Sequence, residues 1–268
     1  MILKFTKLVG AGNDFIVVDN RLQILKKNLA TLAKRWCDRK HSIGADGLIL
    51  LEKSKKAQVR MRIFNPDSSE AEMCGNGVRC LAKFAADRKI TPERFKVETI
   101  AGIIGVEVRG QTVKARLVDP KDFQPDLSVT AGGQSHRLHF VNTGVPHAVK
   151  LVDSVERCDV RGLGSQIRFH GHFAPRGTNV NFVCPGADNS IKIRTYERGV
   201  EDETLACGTG STAGALVSAA LKGFKSPVRV YTRGGEVLKV YFSKNSKGFT
   251  DVFLEGRIDE VFEGSVKL

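Results

Sequence analysis

No run of eighteen apolar residues occurs in the sequence, so neither a transmembrane helix nor a membrane partner is expected. The opening MILKFTKLVGAGND lacks the apolar core and small-residue cleavage site of a secretory leader, which makes the cytosol the expected compartment. The six cysteines, Cys37, Cys74, Cys80, Cys158, Cys184 and Cys207, are too few and too scattered for a disulfide scaffold, and a reducing compartment keeps them as thiols. There is no CxxC pair and no HExxH, so zinc and dithiol redox sites fit poorly and no metal is expected. Strand–helix–strand alternation of the doubly wound kind is also missing.

What is present is an ordinary globular composition, 41% hydrophobic and 26% charged over 268 residues, enough for one large domain or two medium ones. A net charge of +13 would suit a nucleic-acid surface or the steering of anionic substrates. The basic residues are scattered, as in KKNLATLAKRWCDRK, KSKKAQ and YFSKNSKG, without finger spacing or interleaved aromatics. A solvated basic face is the better reading, and no nucleic-acid partner is expected.

The chain reads as strand-rich. ILKFTKLV, QVRMRIF, GVEVRG, TVKARLV, HRLHFVNTG, NVNFVCP, SIKIRTYE, SPVRVYT, EVLKVYF and DVFLEG alternate or run β-branched between Gly, Pro, Asp and Asn. Helices are few. Leu29, Leu32, Ala33, Trp36 and Cys37 share one helical face, and residues 153–167 predict a second helix broken by its glycines. Two more begin near Cys74 (CGNGVRCLAKFAADRK) and near Cys207 (CGTGSTAGALVSAALKG). The latter is small and apolar on nearly every side, which suits a helix enclosed by sheet.

A coarse repeat follows. Each half carries an alternating strand (VRMRIF, IKIRTYE), an acidic loop (NPDSSEAEM, RGVEDETLA), then Cys-Gly-x-Gly and a helix, with the two cysteines 133 residues apart. This predicts two similar lobes, residues 1–122 and 123–257, divided in the loop DPKDFQPDLS, with a last strand at about 258–268 able to return to the first lobe.

A cysteine at the mouth of a helix faces first-turn N–H groups that have no internal partner and that favour negative charge. Its thiol pKa is therefore expected to fall, and Gly75, Gly77, Gly208 and Gly210 let backbone approach a ligand closely. One such motif reads as a structural turn. Two, after matching strands and loops, read as an acid and a base: a thiolate takes an α-proton from one face of a ligand and a thiol returns one to the other, inverting a stereocentre. Oriented donors must stabilise the carbanion. Asn13, Asn65, Asn179, Glu197 and Arg198 recur where strands meet loops, where amides bind an α-ammonium or carboxylate and an arginine grips a carboxylate. Each also reads as a turn residue or surface ion pair. A nucleophilic hydrolase would need a histidine near one cysteine; His147 is the best available.

These residues carry a resemblance. GAGNDFIVVDN, IGADGLILLE, MRIFNPDSSEAEMCGNGVRC, GTNVNF, YERGVEDETLACGTGSTA and DVFLEGRIDEVFEGSV are similar to stretches of the diaminopimelate epimerase family, from one end of the chain to the other. The resemblance implies an α+β fold of two pseudo-symmetric lobes, each a β-barrel-like sheet around a central helix, with the active site between them. It implies Cys74 and Cys207 as the two bases, and Asn13, Asn65, Gly75, Asn76, His147, Asn179, Glu197, Arg198, Gly208 and Thr209 around an amino-acid substrate. It also implies no cofactor and a homodimer.

Two departures stand out. Many members of the family have Asn-Pro-His where this chain reads Val145-Pro146-His147, and many have glutamine at Gly47. Valine offers the distal end of a substrate no hydrogen bond, and Asn142 is the nearest substitute. The alternatives are a related racemase acting on glutamate, histidine or a broader range, and a non-catalytic basic binding protein on the same fold.

Overall fold

The computed structural model describes residues 2–268. In chain order they form β1 (Ile2–Gly10), β2 (Asn13–Asp19), α1 (Leu29–Cys37), β3 (Gly47–Glu52), β4 (Val59–Phe64), β5 (Glu70–Ala71), α2 (Gly75–Asp87), β6 (Arg94–Thr99), β7 (Gly102–Arg109) and β8 (Thr112–Arg116). There follow β9 (Lys121–Ala131), β10 (Gln134–Asn142), β11 (Pro146–Leu151), α3 (Val160–Arg168), a 3₁₀ turn (Gly171–Phe173), β12 (Asn179–Pro185), β13 (Ser190–Glu197), β14 (Asp202–Thr204), α4 (Gly208–Lys222), β15 (Val228–Tyr231), β16 (Val237–Asn245), β17 (Gly248–Arg257) and β18 (Asp259–Lys267). The chain divides into two compact units, residues 1–116 with 256–268, and residues 117–255.

In the first unit β18 pairs with β1, and β1 runs antiparallel to β2. The β2–β3 pair is parallel, β3–β4 antiparallel, β4–β6 parallel, and β6–β7–β8 antiparallel. The second unit repeats this order: β9 on β10, then β10–β11 antiparallel, β11–β12 parallel, β12–β13 antiparallel, β13–β15 parallel and β15–β16–β17 antiparallel. The short strands correspond too: Phe64 faces Glu70 as Tyr196 faces Glu203. The architecture is therefore α+β, two lobes with mixed sheets and central helices.

Both faces of β2 and β3 are covered, which explains their unbroken apolar runs. Phe15, Val17, Ile49 and Leu51 pack on Val78, Leu81 and Ala82 of α2. Ile16, Val18, Leu48 and Leu50 pack on Leu29, Ala33 and Trp36 of α1. Helix α2 touches β1, β2, β3, β4, β7 and β8, and α4 touches β10, β11, β12, β13, β15 and β16. Ten successive residues of α4, Gly210 to Ala219, are buried, so its all-round small apolar composition reflects enclosure, as its sequence predicts.

Two expectations need correction. Residues 121–128, read as a loop from their prolines and acids, belong to strand β9. That strand pairs with β10 through two register shifts, holds Asp122 and Asp126 at positive φ, and is exposed along most of its length. An irregular, exposed strand of this kind tolerates Pro and charge. The glycines of α3 do not break that helix. Asp159 caps it by accepting from the Gly162 N–H at 2.9 Å, and a Cβ at Gly164 would lie 2.7 Å from the Tyr196 Cβ. Glycine is what lets α3 lie against β13.

The same logic holds inside the second sheet. A Cβ at Gly214 would sit 3.0 Å from both Ile191 Cδ1 and Val183 Cγ2. Gly214→Val is expected to overpack this contact and cost about 1–3 kcal/mol, read as a lower urea midpoint; an unchanged midpoint would show that α4 has room to move.

Candidate active site

Cys74 is the N-cap residue of α2, in extended backbone (φ −139°, ψ 122°). Its sulfur accepts from the Gly77 N–H at 3.4 Å and its carbonyl from the Val78 N–H at 2.8 Å. Cys207 takes the N-cap position of α4 with similar backbone (φ −120°, ψ 113°) but no side-chain cap hydrogen bond, its carbonyl accepting from the Ser211 N–H at 2.8 Å. A Cβ at Gly77 would come within 3.1–3.2 Å of Ile63 and Ile49, and one at Gly210 within 2.4 Å of Asn181 Oδ1. Glycine at the fourth position of each motif thus brings the helix mouth down onto its sheet.

The two thiols are not alike. Cys74 is half-buried and Cys207 is buried. Helix-end donors were expected to lower both thiol pKa values. At Cys207 burial, reinforced by the Glu197 carboxylate, outweighs the Thr209 hydroxyl and the Gly210 and Thr209 N–H groups and pushes the thiol up to about 12. Glu197 is itself pushed up by burial.

Next to Cys74, Gly75 and Asn76 open α2, and Asn13 is bonded to Asn76. Asn76 Nδ2 donates to Asn13 Oδ1 at 2.6 Å, and the fully buried Arg79 donates to Asn76 Oδ1 at 2.6 Å and to the Gly75 carbonyl at 3.3 Å. Asn13 Nδ2 donates to Asp46 at 3.1 Å. The β1–β2 turn behind it is held by Asp14. Burial would raise the Asp14 carboxyl, but hydrogen bonds from Arg39 and Lys7 hold it well below the usual carboxylate range. Asn65 follows β4 and closes its own turn, donating to Ser69 Oγ at 2.9 Å.

In the second unit, Asn179 at the start of β12 is paired in register with His147 of β11. Asn179 Nδ2 donates to the Pro146 carbonyl at 3.0 Å, and its Oδ1 accepts from the Arg198 N–H at 2.9 Å. The Arg198 guanidinium donates to the Arg176 carbonyl at 3.3 Å. Thr143 Oγ1 donates to the Thr209 carbonyl at 3.1 Å, and Thr212 Oγ1 to that of Gly208 at 2.9 Å. His147 is fully buried, and burial, with the nearby Arg198 charge, pushes its imidazole down to about 3. Asn142 Oδ1 accepts from the Gly144 N–H at 3.0 Å. Gly47 is buried opposite Phe15, where a Cβ would lie 3.2 Å from the Phe64 carbonyl oxygen.

Sequence reasoning missed Lys7, Arg39, Asp46, Arg79 and Asn181, which hold the singled-out residues in place. Asn181 had a visible signal, standing two residues from Asn179 on the same face of one strand. Arg79 lies only one helical turn from Asn76 and Gly75, but its burial inside the sheet is not marked locally; Asp46 lies 33 residues from Asn13. No helix among the described residues is long and apolar enough to cross a membrane, and no group of three or more His, Cys, Asp or Glu side chains among them could hold a metal ion.

A sequence model described as diaminopimelate epimerase matches residues 5–120 and 139–254. The chain is 46% identical to the diaminopimelate epimerase of Aquifex aeolicus, over 98% of this chain and 97% of that one. It is 43% identical to that of Methanocella arvoryzae, over 98% and 96%. Among solved structures, a PhzF-family phenazine biosynthesis protein from Bacillus anthracis matches with a TM-score of 0.78 at 16% identity, covering 100% of both chains. A hydroxyproline epimerase from Agrobacterium vitis, with bound trans-4-hydroxy-L-proline, gives 0.68 at 16% identity, over 99% of this chain and 92% of that one. The solved structures share the fold with this chain; the family is shown by the sequence relatives, two units with a cysteine at the mouth of each central helix, and the chain belongs to the diaminopimelate epimerase family.

Proposed function

We propose that the chain converts LL-2,6-diaminopimelate to the meso form by moving an α-proton between two cysteines, without a cofactor, for lysine and peptidoglycan synthesis. The observation that carries this reading is the duplication itself: a cysteine N-caps the enclosed helix at equivalent positions of both units. Cys207, raised by burial, rests as the thiol and is the acid of this form. Cys74 is then the base. Its thiolate takes the Cα proton, and the electron pair moves into the α-carboxylate. The Cys207 S–H bond then breaks to return a proton to the opposite face of Cα, leaving a Cys74 thiol and a Cys207 thiolate. The reverse reaction starts from that form.

The carboxylate that takes up the negative charge is read as lying against the first-turn N–H groups of Gly75, Asn76, Gly208 and Thr209, which need partners. Asn13, Asn65, Asn179, Glu197 and Arg198 are read as holding the remaining polar groups of the substrate. With Val145 offering no hydrogen bond, discrimination at the distal end rests on fewer polar groups, and rejection of other amino acids is weaker than a fully polar pocket gives. Family resemblance alone extends the reading to a homodimer in the cytoplasm.

The first test follows α-deuterium uptake and meso product from LL-diaminopimelate in D₂O. Prompt epimerisation in the reduced parent is expected, with a loss of at least about 1000-fold in Cys74→Ala and in Cys207→Ala. An inactive reduced parent overturns the reading, and activity on glutamate, histidine or proline instead redirects it to the distal pocket. The second test is pH-dependent alkylation. At pH 8 a thiol with a pKa of about 12 is thiolate in roughly one molecule in 10⁴. Iodoacetamide labelling of Cys207, read by peptide mapping, is therefore expected to rise about tenfold per pH unit from 7 to 9. A plateau below pH 9 would place the Cys207 thiol lower and make it a base.

A further inference from the structure

His147 carries an unsatisfied group. It is fully buried, and its Nε2 has no hydrogen-bond partner among the described residues. An orphaned buried donor or acceptor is unfavourable, and a ligand that takes it up relieves that. The other ring nitrogen, Nδ1, is 3.1 Å from Asn181 Nδ2.

The orientation of the Asn181 amide decides what His147 is. Asn181 Nδ2 also donates to the Ala148 carbonyl at 3.0 Å, and Asn181 Oδ1 accepts from Thr195 Oγ1 at 3.0 Å. A flipped amide would set two oxygens against each other at Ala148. The NH₂ group therefore faces Nδ1, which must accept, and the ring proton belongs on Nε2. Asn181 is itself fully buried, so no water competes for this arrangement. It also lies at the cysteine turn: the position of a Gly210 Cβ is 2.4 Å from Asn181 Oδ1 and 3.3 Å from Cys207 Sγ.

We propose that Asn181 is a positioning residue that holds His147 as the neutral Nε2–H tautomer, so that a fixed, uncharged donor meets the carboxylate of the ligand. The proposal rests on the epimerase reading. An uncharged N–H stabilises developing negative charge without being acidic enough to compete for the carbanion. An imidazolium in its place would be a second proton source on no particular face. Burial and the Arg198 guanidinium, the charged group felt at this ring, keep the imidazole neutral at working pH. Glycine at 210 belongs to the same device, since any side chain there would displace the Asn181 carbonyl.

The test is ¹⁵N NMR of the chain labelled at histidine, with the His147→Gln spectrum identifying the resonances of His147. At pH 7 the expected signal is a bare Nδ1 and a protonated Nε2. A protonated Nδ1 overturns the proposal. In Asn181→Asp the carboxylate is isosteric and accepts only, so His147 is expected to move its proton to Nδ1 or to become doubly protonated. Epimerisation kcat should fall about 100-fold, as on removing one donor to a developing anion, with KM changing several-fold less. A merely structural role would leave the tautomer unmoved, and an unchanged tautomer or kcat in Asn181→Asp overturns the assignment. The parent spectrum decides even where Asn181→Asp does not fold. A parent with the expected tautomer that does not epimerise sinks the epimerase reading and leaves the Asn181–His147 assignment standing.

Discussion

Each unit depends on one constraint: a helix must fit inside a sheet while the N–H groups of its first turn keep no strand partner. The fit is made at glycines. Gly77 meets Ile49 and Ile63, Gly210 meets Asn181, and Gly214 meets Val183 and Ile191. These close approaches leave no room for side chains between helix and strands, and they set where the helix begins. The first-turn N–H groups then have no strand to pair with. What satisfies them is the capping residue and whatever binds there. A cysteine in that place is consequently reactive or poised by its surroundings, and its protonation depends on how much solvent and charge the neighbouring strands admit.

The strand framework around the helix is kept in both units down to single side chains. Arg62 grips Glu70 with two hydrogen bonds of 2.7 and 2.8 Å, and Arg194 grips Glu203 with two of 2.6 and 2.8 Å. Both pairs tie the last long strand before the helix to the short strand that turns the chain toward the cysteine. The second pair is the drier one, with the Glu203 side chain 2% exposed and a further contact from Arg233. Breaking a pair that dry leaves an uncompensated charge, so this ion pair secures the approach to Cys207 more firmly than its counterpart secures the approach to Cys74.

Much of this was legible in the sequence because the signals are local. Strand alternation, the amphipathic stripe of Leu29 to Cys37, the enclosed character of the helix after Cys207 and the paired Cys-Gly-x-Gly turns each follow from a few adjacent residues. The failures have physical causes. Residues 121–128 look like a loop because Pro125 and the aspartates are poor strand formers, yet an exposed irregular strand accepts them. Gly162 and Gly164 look like helix breakers because propensity carries no information about Tyr196, which lies on another element. Asp46 and Arg39 act across long sequence separations, on Asn13 and Asp14, where spacing says nothing. The thiol pKa failed for a similar reason: helix-end electrostatics can be read from the motif, but the desolvation that dominates at Cys207 comes from strands elsewhere in the chain.

That last failure bears on direction. A proton-transfer pair made of two identical thiol sites would have no preferred resting form, and half of the molecules would meet a given epimer with the wrong cysteine deprotonated. The duplicated framework is broken at one informative point. The residue that follows the last buried aromatic of the strand is Asn65 in the first unit and Glu197 in the second. Glu197 is a carboxyl whose negative charge opposes ionisation of Cys207, whereas Asn65 is neutral. Burial of Cys207 acts in the same sense, whereas Cys74 is only half-buried. The sheet keeps the two sites alike in backbone, and a side-chain difference at the strand end, with burial, holds Cys207 as a thiol, which is the form the proposed mechanism asks of its acid.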